Sequence, residues 1–241
     1  MYRKGVRRTH VTVLAKNSQY SALVQARKEC TICAGLVNPA HCSSGVYDSG
    51  EIGPWTRWQG ALDAELMLVG QDWGDVRYFE KYAGLDSPKN PTNLRLQELL
   101  AEAGFNVTSG SQDLDRGSIF LTNAILCLKS GGMGAPVRAA WFTECGRRFL
   151  RPQIELVRPR ALVTLGARAY HAVCKAFDKR ANTLRLAVEA PPEELFPGVH
   201  LYPVYHCSPR VLARARSLEV QRQDWRRIGE ALGRRSVALD D

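Results

Sequence analysis

The sequence predicts an α/β fold: a single-domain, three-layer α/β/α arrangement with a central four-stranded parallel sheet. Short apolar runs within LMLVGQDWGD (66–75), FLTNAILC (120–127), ALVTLG (161–166) and LYPVYHCSP (201–209) read as buried strands that end in glycine or polar residues. Helical patterns stand between these runs, and that alternation builds parallel sheets with helices on both faces. The chain has 241 residues, enough for one full core, and no internal repeat or low-complexity linker divides it. One domain over 1–241 is the expectation.

The first helix is expected from Asn17 or Ser18 through SALVQARKE to Cys30. Residues 30–60 hold Gly35, Pro39, Gly45, Gly50, Gly53, Pro54 and Gly60, a composition of irregular loop. Strand one (65–70) leads through a polar and aromatic loop to a helix from about Thr92, whose Leu94, Leu96, Leu99 and Leu100 precede a stop at Gly104. Strand two (118–123) is followed by the glycine-rich turn SGGMGAP (130–136). Helical sequence then runs from Val137 to Val157, with Pro152 placed to break or kink it. Strand three (161–165), a helix over 167–177, strand four (201–206) and a final helix over 218–233 complete the order.

Hydrophobic residues make up 45% and charged residues 24%, ordinary for a soluble globular chain. No apolar run approaches the ~20 residues that span a bilayer. The basic MYRKGVRRTH lacks a following apolar stretch, so no membrane partner and a cytoplasmic location are expected. The net charge of +9 favours a polyanionic partner, because each neutralised phosphate releases counterions. The C-terminal segment 210–235 carries Arg210, Arg214, Arg216, Arg222, Arg226, Arg227, Arg234 and Arg235 against Glu219, Asp224 and Glu230. A solvated helix face is the plainer reading of that run.

Seven cysteines in a reducing compartment are thiols, available for metal ligation or plain burial. Cys30-Thr31-Ile32-Cys33 is a CxxC, the spacing that brings two thiolates to one metal from a tight turn; redox pairs and zinc knuckles share it. Cys127 follows strand two, and Cys145 lies in the helical WFTECGRRFL. These four could converge from a loop, a strand end and a helix, or Cys127 and Cys145 could be small buried hydrophobes. Cys42 is an alternative ligand, whereas Cys174 and Cys207 look unpaired. Asp72, Asn123 and His206 stand at three strand ends, where open α/β sheets hold ligands.

Together these features resemble the uracil-DNA glycosylase superfamily, especially its iron–sulfur branch. The resemblance rests on Cys30, Cys33, Cys127 and Cys145, followed by Gln153-Ile154 and Arg158-Pro159. It also rests on GQDWG (70–74), TNAILC (122–127), TLGARA (164–169) and HCSP (206–209), and it covers about 28–228. It implies a uracil-DNA glycosylase-like domain, with a helix and a cluster-binding loop in 1–60. It implies a 4Fe–4S cluster on the four cysteines, with zinc the alternative. The partner it implies is uracil-containing DNA, single- or double-stranded, and the protein is expected to act as a monomer. The iron–sulfur branch usually carries GEAPG; Gly70-Gln71-Asp72 is similar instead to the GQDPYH motif of family 1, whose aspartate assists the attacking water. Family 1 has a tyrosine at the Gly74 position to exclude the methyl of thymine, and glycine leaves that wall open. Cys207 replaces a customary proline.

Cleavage of an N-glycosidic bond builds positive charge on the sugar and negative charge on the departing base. The resemblance assigns Asp72 to the water and the sugar cation, and His206, as neutral imidazole, to the leaving base. Asn123 can present both a donor and an acceptor to the edge of uracil. The resemblance also implies that Gly70 and Gln71 contribute to the base pocket. Phe79 is the favoured stacking aromatic beside Tyr78 and Tyr82, with core packing an equal reading. Val211 and Leu212 are the candidate wedge that fills the space of a flipped base, with Arg210 and Arg214 on flanking phosphates. The activity implied is hydrolysis of uracil or another deaminated base from DNA, leaving an abasic site. The alternative is a catalytically altered, damage-sensing DNA-binding protein on the same fold.

Overall fold

Strand β2 (Leu66–Asp72) lies near the centre of the sheet and sends alternate side chains to opposite faces, as an extended chain must. Met67 and Val69 enter one core with Phe120, Phe149, Leu162, Val173 and Leu201, while Leu66 and Leu68 enter a second with Leu99, Val163, Trp225 and Ile228. Two apolar faces on one strand require a helical layer on each side, so the three-layer expectation holds. The computed structural model describes residues 4–53, 62–87, 89–107 and 119–237, with side chains from residue 14. The expected strand-two residue Ser118, the expected loop residues Pro54 and Gly60, and the first three residues of the basic N-terminal stretch lie outside the described residues.

Helix α1 (Lys4–Lys28) starts well before Asn17, since a good capping residue does not end a helix when nothing upstream breaks it. A two-residue strand β1 (Leu36–Val37) and a 3₁₀ segment (Pro39–Gly45) lie within the expected loop. After β2 come a short helix α2 (Val76–Lys81), capped by the Asp75 carboxylate on the Tyr78 N–H, and α3 (Pro91–Glu102), capped by Asn90 with Pro91 in the first turn. Strands β3 (Ile119–Ile125) and β4 (Leu128–Lys129) follow, β4 pairing antiparallel with β1. The run α4 (Ala139–Cys145), one π turn (Gly146–Leu150) and α5 (Arg151–Val157) is helical throughout. Pro152 does not break it; the widened turn just upstream takes up the missing N–H and the ring.

Strand β5 (Ala161–Leu165), α6 (Ala167–Ala176), α7 (Leu184–Glu189), β6 (Glu193–Phe196), β7 (Val199–Val204), α8 (Pro209–Arg214) and α9 (Leu218–Leu232) end the chain. The sheet order is β3-β2-β5-β7-β6. The first four strands are parallel, as expected, but the sheet has a fifth, β6, antiparallel to β7. Glu193 and Glu194 are exposed on this edge, so it carries no apolar run from which a strand could be read.

Candidate active site

A cleft of about 810 Å³ opens at the C-terminal ends of the parallel strands, lined among others by Gly70, Gln71, Asp72, Asn123 and His206. Pairing of β2 with β3 sets Gly70 opposite Asn123. A Cβ on Gly70 would stand 2.1 Å from Asn123 Oδ1, so glycine there is what lets the amide sit in the cleft. On the other side, Gly166 donates its N–H to the Val204 carbonyl at 2.8 Å and lies against His206. The three predicted polar residues thus share one cleft.

Asp72 is held firmly. Oδ1 accepts from the Gly74 N–H at 2.9 Å and pairs with Lys129 Nζ at 3.3 Å, while Oδ2 accepts from the Gln71 amide. Gln71 Oε1 in turn accepts from Arg168 at 3.5 Å. Gly74 has φ +102°, a conformation costly for other residues, and this bend turns its N–H back to the carboxylate. The Ser208 N–H donates to His206 Nδ1 at 3.1 Å, so the neutral ring carries its proton on Nε2. Burial lowers the pKa of His206, with the nearby Asp72 charge opposing the shift. A carboxylate that can take a proton therefore stands near a neutral imidazole that can donate a hydrogen bond.

Phe79 is not in the cleft. It is 1% exposed and packs with Cys42, Trp73 and Leu128 in a small separate core. Tyr78 is bound to Asp86 and packs on Tyr82, and neither lines the cleft. Among the described residues, the aromatics that do are Trp73 and Tyr205. Tyr205 directly precedes His206, a position from which its part in the cleft wall could have been read. Lys129, Arg168 and Met133 are further cleft residues the sequence did not single out. Arg210 and Val211 line the cleft, while Leu212 and Arg214 share helix α8 with them outside it.

The arginine run divides. Arg216 grips Asp224 through two contacts of 2.6 and 2.7 Å, Arg226 binds Glu102, Arg222 spans Glu98, Glu102 and Glu219, and Arg234 binds Glu65. Arg210 and Arg214 are exposed and make no ion pair among the described residues.

The four predicted cysteine ligands lie close together. The Asn38 side chain binds the carbonyls of Arg27 and Cys30, fixing the turn that carries Cys30 and Cys33. The neighbouring Cys145 thiol lowers the pKa of Cys33, and the same contact together with burial pushes Cys145 up. Burial pushes the Cys127 thiol up to about 12, with the neighbouring Cys30 and Cys33 acting in the same direction. Even so, no three His, Cys, Asp or Glu side chains among the described residues stand as a ready metal-ligand set. Cys42 sits in the separate core beside Glu80, Cys174 is buried under the sheet, and Cys207 donates to the Thr92 carbonyl.

No helix among the described residues is long and apolar enough to cross a membrane. No curated protein matches the chain. Residues 58–228 match the family described as "UDG: Uracil DNA glycosylase superfamily". That span includes every strand of the main sheet, and Asp72, Asn123 and His206 of the cleft. The chain belongs to the uracil DNA glycosylase superfamily, a group of DNA-acting glycosylases.

Proposed function

We propose that the protein is a monofunctional DNA glycosylase that hydrolyses the N-glycosidic bond of uracil, or of another deaminated base, and leaves an abasic site. The observation that carries this reading is the placement of Asp72, Asn123 and His206 on one cleft. The flipped nucleotide enters the cleft and is read at its edge by the Asn123 amide. Asp72 takes a proton from the attacking water and stabilises positive charge on the sugar. His206 donates Nε2–H to the base oxygen on which negative charge develops. Arg210 and Arg214 hold flanking phosphates, and Val211, at the cleft wall, enters the space the base vacates.

The same reading includes a 4Fe–4S cluster held by Cys30, Cys33, Cys127 and Cys145. Its support is the approach of four thiols from three elements. Such a cluster, when bound, would cross-link the turn after α1, the end of β3 and α4. Hydrolysis of a glycosidic bond moves no electrons, so the role is structural. A brown protein absorbing near 400 nm supports the cluster, whereas a colourless protein with one zinc replaces it.

The activity is tested with oligonucleotides that each hold one modified base, single- or double-stranded, followed by alkaline cleavage at abasic sites. The expected result is strand cleavage at uracil or at another deaminated base. Absence of any alkali-labile site across the panel overturns the reading.

A further inference from the structure

Lys129 is an ammonium with almost no contact with solvent, placed against the carboxylate proposed as general base. Its side chain is 6% exposed and that of Asp72 is 7%, with Nζ at 3.3 Å from Oδ1. Nζ also donates to the Met133 carbonyl at 2.8 Å, and the Lys129 N–H donates to the Gly74 carbonyl at 3.0 Å. Opposite Leu36 in the β1–β4 ribbon, it is tied to the turn that carries Cys30 and Cys33. One residue thus fastens the Asp72 loop to the glycine-rich turn and to the cysteine turn.

An ionised carboxylate offers about four lone-pair sites, two on each oxygen. Gly74 donates to Oδ1, against which Lys129 Nζ also stands as an ion pair, and Gln71 donates to Oδ2. Oδ2 carries no ion pair among the described residues. Burying either side chain without the other would leave a polar group unpaired, so the contact fixes both in place. We propose that Lys129 is a positioning residue: its ion pair holds Oδ1 of Asp72 in place and leaves Oδ2 to orient and deprotonate the attacking water. This rests on the reading of Asp72 as general base.

The test is a double-mutant cycle on the full chain, with Lys129→Met and Lys129→Arg made in the parent and in Asp72→Asn. Single-turnover release of uracil and affinity for the same oligonucleotide are measured separately. Lys129→Met should slow release by about tenfold or more, as misplacement of a reacting group does. Affinity should stay within about twofold, which separates lost transition-state stabilisation from lost binding. Lys129→Arg should recover most of the rate. In the Asp72→Asn background Lys129→Met should cost nothing further, because a residue acting through another is non-additive with it. Parental rates in Lys129→Met, or the same fold loss in both backgrounds, would overturn the proposal. An Asp72→Asn variant as fast as the parent sinks the general-base reading itself, a separable outcome. If Lys129→Met does not fold, Lys129→Gln, which keeps a donor for Met133 without the charge, takes its place under the same criteria.

Discussion

At the scale of single residues, the cleft depends on a few close approaches. Gly70→Ala would drive a methyl into Asn123 Oδ1 and push the amide from its place. Uracil release should fall by about tenfold or more, with DNA affinity little changed, as expected when a positioned group is displaced; release at the parental rate would show that the Asn123 amide does not need that seat. Asn123→Asp puts acceptors where the amide offered a donor, so the ratio of uracil to cytosine release should drop, and an unchanged ratio would remove Asn123 from base recognition. His206 has a definite pH signature. Its folded pKa lies below the ordinary 6.5, so the unfolded chain binds the proton more readily. The stability it contributes is present above about pH 6.5 and is lost as pH falls through the lower folded value. Because the Asp72 charge holds that pKa up, Asp72→Asn should move the His206 midpoint lower still in an NMR titration. Asp72, Asn123 and His206 were legible in the sequence because each follows an apolar strand. Lys129 was not: it lies two residues past Cys127 in a strand of two residues, and only the fold brings it to Asp72.

Elements explain why the basic C-terminus was only half legible. Besides the local Glu219 and Asp224, the acids that pair with the C-terminal arginines are Glu98 and Glu102 on α3 and Glu65 before β2, more than a hundred residues away in sequence. Local counting of charge therefore overstated the free arginines. Arg210→Ala with Arg214→Ala should weaken DNA binding for all sequences alike and flatten the salt dependence by about one unit per lost phosphate contact. Arg226→Ala should leave that slope unchanged, since its guanidinium already holds Glu102. Equal slopes in the parent and the Arg210, Arg214 double variant would return α8 to plain surface. Asp224 is different in kind, nearly buried between Arg216 and Arg227. Asp224→Ala should cost about 3 kcal/mol in chemical denaturation, the order expected when one partner of a buried pair is removed. Phe79 was ambiguous in the sequence for a related reason: an aromatic after the first motif can face either the cleft or the core, and the turn of α2 decides for the core.

For the whole molecule, four parallel strands with a helical layer on each face followed from four apolar runs, whereas the order of the strands in the sheet came only with the structure. The edge strand β6 carries too little apolar sequence to be read, and it leaves the cleft end of the sheet unaffected. The proposed cluster acts at this scale too, since its ligands come from the turn after α1, the end of β3 and α4. Anaerobic purification should give about four iron atoms per chain, and Cys127→Ala with Cys145→Ala should remove them. Retained iron in that double variant would contradict the assignment. The central claim, that this superfamily member hydrolyses a glycosidic bond with Asp72, is tested most directly by single-turnover release of uracil from DNA by Asp72→Asn. The account predicts a rate lower by a factor on the order of 10² or more, as for loss of a general base, with DNA affinity unchanged. Release at the parental rate would contradict it.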